Sequence, residues 1–194
     1  MSSRKILCVV SLTSFIGIAV ALLACSDVHA DGEAASVIDE ATRETAASFV
    51  GEYRFVGGQK ERDGIDAAIE TSLDAVNPVV RAMGRSRLQE SNEVPATIEI
   101  TLQDDTLAIH QAGEAHAARI DGSKLKTKSK QGDKINVSHR ISSGKLTQKI
   151  VGDGGDRTNR YKLSNEGKRL TLSVEITSGH LPVPVSYSLT YERR

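Results

Sequence analysis

Cysteine is nearly absent from this chain of 194 residues. The only two are Cys8 and Cys25, so a domain formed by the rest of the chain has neither a disulfide nor a thiol nucleophile. Charge of one sign is lacking as well, because the formal charges cancel to zero, and aromatic residues make up only 4%. This balance gives no indication of nucleic acid as a partner.

Catalytic motifs are also missing. The chain has no Gly-x-Ser-x-Gly nucleophile motif and no glycine-rich phosphate loop ahead of a helix. The segment 153–156, Asp-Gly-Gly-Asp, lacks the spacing and terminal Glu of a calcium loop, and a tight hairpin explains it better. Carboxylates are scattered among polar positions, where they serve solubility. The sequence therefore favours a protein that is not an enzyme and uses no cofactor.

An apolar run opens the chain. Arg4 and Lys5 precede the uncharged segment 6–24, which is typical of an export signal. Removing such a leader takes away only these two charges, so the remainder stays close to neutral. At 19 residues the run is also long enough to span a bilayer if it is not cleaved.

Two cleavage sites follow this run. Leu22-Leu23-Ala24-Cys25 resembles a bacterial lipobox, which predicts cleavage after residue 24 and lipidation of Cys25. The protein would then be held in the periplasm of the bacterial cell envelope through a lipid anchor. Val28-His29-Ala30 is an ordinary small-residue cleavage site, and its use would leave a soluble periplasmic or secreted protein.

Strict alternation dominates the chain from residue 96 to 191. Leu170, Leu172, Val174 and Ile176 share one parity and polar residues take the other, as in a strand with one buried face. Turn residues recur roughly every 10 positions. We predict about nine strands here, centred near residues 99, 108, 118, 126, 138, 148, 161, 173 and 187. Short turns favour antiparallel pairing, and a meander of this length must close or cover its edges.

The segment before this meander predicts one more strand and two helices. Residues 49–55 alternate with an aromatic inner face. Apolar residues then recur at helical spacing, first Ile65, Ile69, Leu73 and Val76 and later Val80, Met83 and Leu88. Asn77 and Pro78 suit an N-cap and a first helical position, so we predict helices over 64–76 and 78–90.

The predicted organisation follows from these segments. Residues 1–24, or 1–30 with ordinary cleavage, form the signal peptide. Residues 25–47 form a tether or a short helix. Residues 48–194 form one domain, a mainly β, antiparallel meander closing into a barrel of about ten strands with a helical insert over 63–91.

A family resemblance adds to this prediction. Phe49-x-Gly51-x-Tyr53 resembles the Phe-x-Gly-x-aromatic opening of the calycin superfamily, and a helix pair after the first strand is similar to its fatty-acid-binding-protein branch. The resemblance implies a ligand cavity beneath a helical lid. That branch commonly holds a carboxylate with an Arg-x-Tyr pair on the last strand, whereas Tyr187–Tyr191 of this chain contains no arginine.

Polar residues on the apolar parity are the candidate ligand-binding residues. Because that parity faces the barrel interior, these side chains must bond one another, water or the polar end of a ligand. The candidates are His139, Gln148, Asn159, Tyr161 and Tyr187.

Two other groups of residues are given structural explanations. His110 and His116 flank a turn near Gly113, but two surface histidines are too few ligands for zinc, so we expect no metal. Lysines alternate along 124–130, a pattern that would suit an acidic partner or anionic headgroups but is better explained as an edge strand protected from self-pairing.

Two functions remain open at this point. The first is an envelope protein that binds a lipid or another small hydrophobic or amphipathic ligand in the barrel. The alternative is a structural or protein-interaction protein whose barrel core is packed solid. Interior space separates them, because a ligand site needs roughly 300 Å³ or more.

Overall fold

The computed structural model describes residues 38–164 and 166–194. The predicted signal peptide, both cleavage sites and Cys25 lie outside the described residues. None of the helices within them is long and apolar enough to cross a membrane.

The predicted architecture is confirmed as a mainly β, antiparallel meander. A single sheet has the strand order β4-β3-β2-β1-β10-β9-β8-β7-β6-β5. Nine strands follow residue 96, as predicted, and each is centred within about two residues of its predicted position. The strands are β1 Gly51–Phe55, β2 Thr97–Gln103, β3 Thr106–Gln111, β4 Glu114–Arg119, β5 Leu125–Lys128, β6 Lys134–Ser142, β7 Lys145–Gly152, β8 Gly155–Ser164, β9 Arg169–Thr177 and β10 Val185–Arg193.

The sheet is nearly closed into a barrel where its two edge strands meet. The segment after β4 forms a bridge between Asp121 and Arg140 of β6, and the Gly122 amide donates to the His139 carbonyl at 2.8 Å. At the other end of the gap, the Lys130 amide donates to Glu114 Oε1 at 2.8 Å. No β4–β5 ladder forms within the described residues, so this gap is the weakest seam of the wall.

Three helices accompany the strands, namely α1 Glu40–Ser48, α2 Gly58–Leu73 and α3 Pro78–Ser91. The cap at the start of α3 is as predicted, because Asn77 Oδ1 accepts from the Val79 amide at 3.0 Å. α1 shows that part of the expected tether is helical. α2 begins six residues before the expected residue 64, because its first turns are polar and carry no apolar period.

The helices lie at opposite ends of the barrel. At the α1 end, Arg43 Nε donates to Asp105 Oδ1 in the β2–β3 turn at 2.8 Å, and Phe49 is buried. At the other end, which we call the lid end, Glu61 of α2 accepts hydrogen bonds at 2.7 Å from both the amide and the hydroxyl of Thr190. Both ends of the barrel are therefore covered by helix.

Alternation places the core inside the barrel, as the sequence predicts. Burial of this apolar face supplies the main stabilisation, about 25 cal/mol for each Å² removed from water. At the lid end, the apolar spacing of Val80, Met83 and Leu88 does not produce a buried helix face. α3 buries no residue and leaves Val80 and Met83 more than half exposed. Of the later apolar set, only Leu88 packs against the core.

Candidate functional site

The five candidate ligand-binding residues all lie on the inner face of the barrel. Strand register aligns four of them in one row that includes Val174: His139 pairs with Gln148, Gln148 with Asn159, Asn159 with Val174, and Val174 with Tyr187. Tyr161 occupies the next inner position of β8. The structure therefore brings the five together, while their role in binding a ligand stays a prediction.

A chain of hydrogen bonds connects this row. Arg157 Nε donates to Asn159 Oδ1 at 3.0 Å, Asn159 Nδ2 to Gln148 Oε1 at 2.8 Å, and Gln148 Nε2 to His139 Nε2 at 3.1 Å. His139 Nδ1 then donates to the Leu107 carbonyl of β3 at 3.0 Å. Because a carbonyl only accepts, the imidazole carries its proton on Nδ1 and leaves Nε2 free to accept.

Burial determines the protonation states in this row. Desolvation lowers the pKa of His139 to about 4, so the imidazole is neutral near pH 7 and fits the direction of the hydrogen bonds. The Tyr161 hydroxyl lies 3.4 Å from both Gln148 Oε1 and Gln111 Oε1, and burial raises its pKa. The interior is therefore a neutral, internally bonded polar layer.

Arg157 is the site residue that sequence reasoning missed. It lies at the lid end of β8, on the parity of Asn159 and Tyr161, and that parity was the signal available. Its guanidinium donates to Asn92 Oδ1 at 3.0 Å, the Ser91 carbonyl at 3.2 Å and the Tyr187 hydroxyl at 3.2 Å. Arg157 of β8 thus lies beside Tyr187 of β10.

The hydrogen-bond partners of Arg157 are uncharged. The Tyr187 hydroxyl donates to Asn92 Oδ1 at 2.7 Å, and burial raises the pKa of Tyr187, so it stays protonated. The ion pairs formed by the described residues do not include Arg157. This half-buried guanidinium at the mouth of the barrel therefore has hydrogen bonds but no ion pair with any described residue.

The middle of the barrel is densely packed. His139, Gln148, Asn159 and Tyr161 are each 0% exposed, so no space large enough for a water molecule adjoins their side chains. Arg157 and Tyr187 are half-buried, which places the boundary with solvent at the lid end.

Two surface depressions lie at the lid end. One, of about 480 Å³, lies between the end of α3 and the β5–β6 turn and is lined by Arg87, Glu90, Ser91, Gln131 and Asp133. The other, of about 340 Å³, is lined by Gly155, Asp156, Thr177, Ser178 and Gly179. The first adjoins Arg157 through Ser91, whose carbonyl accepts from the guanidinium.

The two histidines at the β3–β4 turn face opposite sides of the wall. His110 is exposed, whereas His116 is only 6% exposed, so the expectation of two surface histidines was wrong for His116. It fails because β4 keeps the alternation through small alanines, which weakens the apolar signal. Among residues 38–164 and 166–194, no group of three or more His, Cys, Asp or Glu is arranged to hold a metal.

The lysine stripe lies on an edge strand, as its preferred explanation requires. β5 is the last strand of the sheet, and all four of its residues are exposed.

The order of strands, the near-closed wall and the helix pair after β1 define the class of this protein, which is a calycin-like barrel. By sequence, no protein-family model matches the chain, and no curated protein matches it. Comparison of folds is more informative.

Solved structures of the same class cover most of the chain. The SAHS (secretory abundant heat soluble) protein of Ramazzottius varieornatus matches with a TM-score of 0.51 and 11% identity, over 76% of this chain and 96% of that one. Lipid binding protein 8 of Caenorhabditis elegans gives 0.49 and 15%, over 76% and 96%. The Schistosoma mansoni fatty acid binding protein in complex with arachidonic acid gives 0.46 and 18%, over 77% and 98%. At these identities the likeness extends to the fold alone.

Proposed function

We propose that this protein is a non-enzymatic binding protein whose ligand is a small amphipathic molecule with an anionic end. The observation that carries the proposal is Arg157, a guanidinium on the inner face of the barrel that forms no ion pair with the residues that the structure describes. Removing a cation from water is unfavourable unless it is paired. An anionic group of a ligand would supply the missing partner.

The neighbours of Arg157 suit a carboxylate. Arginine presents several N–H groups in a planar fork that matches the two oxygens of a carboxylate. The Tyr187 hydroxyl adds a donor beside the fork once it turns away from Asn92. The half-buried side chains of Leu88, Ile176 and Leu181 lie on the same core cluster and provide apolar surface for a hydrocarbon chain.

Ligand entry requires a movement, because the interior is filled. α3 is the element that is easiest to displace, since it buries no residue, whereas α2 is held by buried Ile65, Ile69 and Leu73. Ser91 and Asn92 are bound to Arg157. An anion that takes their place on the guanidinium would therefore release the end of α3.

Binding of a long-chain carboxylate tests the proposal. Purified protein is titrated with hexadecanoate and, in parallel, with hexadecanol. We expect the carboxylate to bind and Arg157→Gln to weaken it by about tenfold to a hundredfold, the worth of one charged hydrogen-bonded contact. Binding of the alcohol should change little.

Arg160→Gln is the matched control, because Arg160 lies on the same strand but faces outward and pairs with Glu175 at 2.8 Å. The proposal fails if hexadecanoate does not bind, or if both arginine variants affect it equally.

The packed interior favours a second candidate from another class. Side chains with 0% exposure across β6–β8 are what a solid barrel with a structural or protein-interaction role requires. The same titration distinguishes the two. A protein that carries no lipid after purification, binds no carboxylate and shows no rise in melting temperature with hydrophobic probes would support the solid barrel.

We further infer that the protein is exported to the bacterial cell envelope and anchored in the periplasm through lipidated Cys25. The basic start at Arg4 and Lys5, the apolar run 6–24 and the lipobox-like residues 22–25 support this. The intact mass of the mature protein tests it. An acylated Cys25 at the N-terminus is expected, and a chain beginning at Asp31 would refute the anchor.

A further inference from the structure

His116 contains a polar atom that lacks a hydrogen-bond partner inside the barrel. In the part of the chain that the structure describes, three buried side-chain nitrogen or oxygen atoms have none, namely Arg81 Nε, His116 Nδ1 and Tyr191 Oη. His116 lies on the inner parity of β4 and is 6% exposed. A buried polar group without a partner costs about 1–3 kcal/mol of stability. Packing alone therefore does not explain a histidine at this position.

The charges around His116 indicate which kind of partner is missing. Its other ring nitrogen, Nε2, lies 4.0 Å from Glu114 Oε2, and a neighbouring carboxylate favours the tautomer with its proton on Nε2. Nδ1 is then a bare acceptor. Desolvation lowers the pKa of His116, Glu114 raises it and Arg157 lowers it, and the net effect is a lowered pKa. The ring is therefore neutral near pH 7, and Nδ1 has no donor.

His116 and Arg157 belong to one region of the interior. Both lie on the inner parity two positions after their strands begin at the lid end, His116 on β4 and Arg157 on β8, and the charge of Arg157 acts on the pKa of His116. Among the described residues, a guanidinium without an ion pair and a ring nitrogen without a hydrogen-bond partner therefore both lie on the inner face at the lid end.

We propose that the ligand is a hydroxylated amphipathic acid, whose anionic group binds Arg157 and whose hydroxyl donates to Nδ1 of His116. This inference rests on the binding function proposed above and adds a specificity-determining residue to it. β4 is an edge strand with no ladder to β5. It is therefore the part of the wall that can move outward to admit the hydroxyl-bearing carbon.

The test compares hexadecanoate with its 2-hydroxy and 3-hydroxy derivatives on the same protein. One hydrogen bond of about 1 kcal/mol corresponds to about fivefold in affinity. We expect at least one hydroxy acid to bind about fivefold more tightly than hexadecanoate. His116→Phe should abolish this preference.

Two further variants keep the test decisive if His116→Phe folds poorly. His116→Asn retains an acceptor near the position of Nδ1 and should keep the preference. His110→Phe makes the same replacement on the exposed face and should change nothing. Equal affinity for the plain and hydroxy acids, or a preference that survives His116→Phe, overturns this inference alone. Failure of every acid to bind the wild-type protein overturns the proposed function with it.

Discussion

Acid should destabilise this protein through His139 before it does so through carboxylates. The imidazole is 0% exposed, and its Nε2 accepts a hydrogen bond from Gln148. Protonation would place a second donor against that amide and a charge in the polar layer. Burial accordingly lowers the pKa of His139 from 6.5 to about 4.

The magnitude follows from linkage. The unfolded chain binds a proton at His139 near pH 6.5 and the folded chain only near pH 4. The stability that the neutral imidazole contributes is therefore fully present above pH 6.5 and is lost as pH falls towards 4. The full difference is about 3 kcal/mol, at 1.36 kcal/mol for each unit of pKa. At pH 5 about 2 kcal/mol of it is already lost.

Denaturant unfolding of the wild-type protein and His139→Gln, at pH 7.5 and pH 5, measures this effect. His116 and the carboxylates are present in both proteins, so the difference between their unfolding free energies isolates His139. We expect His139→Gln to be the less stable protein at pH 7.5 and the gap to narrow by about 2 kcal/mol at pH 5. His110→Gln, at an exposed position, controls for the replacement. A gap that stays constant between the two pH values would refute the reasoning.

Three further perturbations have defined outcomes. Gln148→Leu leaves His139 Nε2 and Asn159 Nδ2 buried without a hydrogen-bond partner and should lower the free energy of unfolding by about 2–4 kcal/mol. A change of less than about 0.5 kcal/mol in chemical denaturation would contradict the hydrogen-bond chain. Gly57→Ala places a methyl group against the Glu61 carboxylate. The hydrogen bonds from Thr190 of β10 to Glu61 would be lost, and the protein should be destabilised by about 1–2 kcal/mol, as measured by calorimetry. Gly64→Ala has open space around it and should be neutral or stabilising in the same measurement. Replacing the lysines of 124–130 with threonine should promote self-association of β5 on warming, and a light-scattering trace identical to wild type would count against the protective role.

The sequence predicts the wall of the barrel well because alternation and turn chemistry are local signals. One parity of Leu170–Ile176 is sufficient to orient β9, and the same rule placed His139, Gln148 and Asn159 inside. The start of α2 was less accessible, because residues 58–63 are stabilised by a long-range contact from Glu61 to β10 rather than by any periodic pattern.

Arg157 and His116 show why the rest of the site could not be predicted. A charged residue on an inner parity is normally assigned to a rim, and only the approach of Asn92 and Tyr187 from distant segments shows that this one is enclosed. His116 sits between alanines on β4, where alternation is faint. The lack of a partner for its Nδ1 depends on three-dimensional packing and cannot be predicted from the sequence.

The four hydrogen bonds from Arg157 to the Leu107 carbonyl all run in the same direction. A side-chain amide has one donating and one accepting end, so neither Asn159 nor Gln148 can rotate alone without opposing two like groups. Arg157 can only donate and the Leu107 carbonyl can only accept, so the two ends fix the direction of the whole row and exclude the reversed arrangement. A ligand that draws the Arg157 guanidinium away from Asn159 would weaken a series of hydrogen bonds that ends at the Leu107 carbonyl of β3.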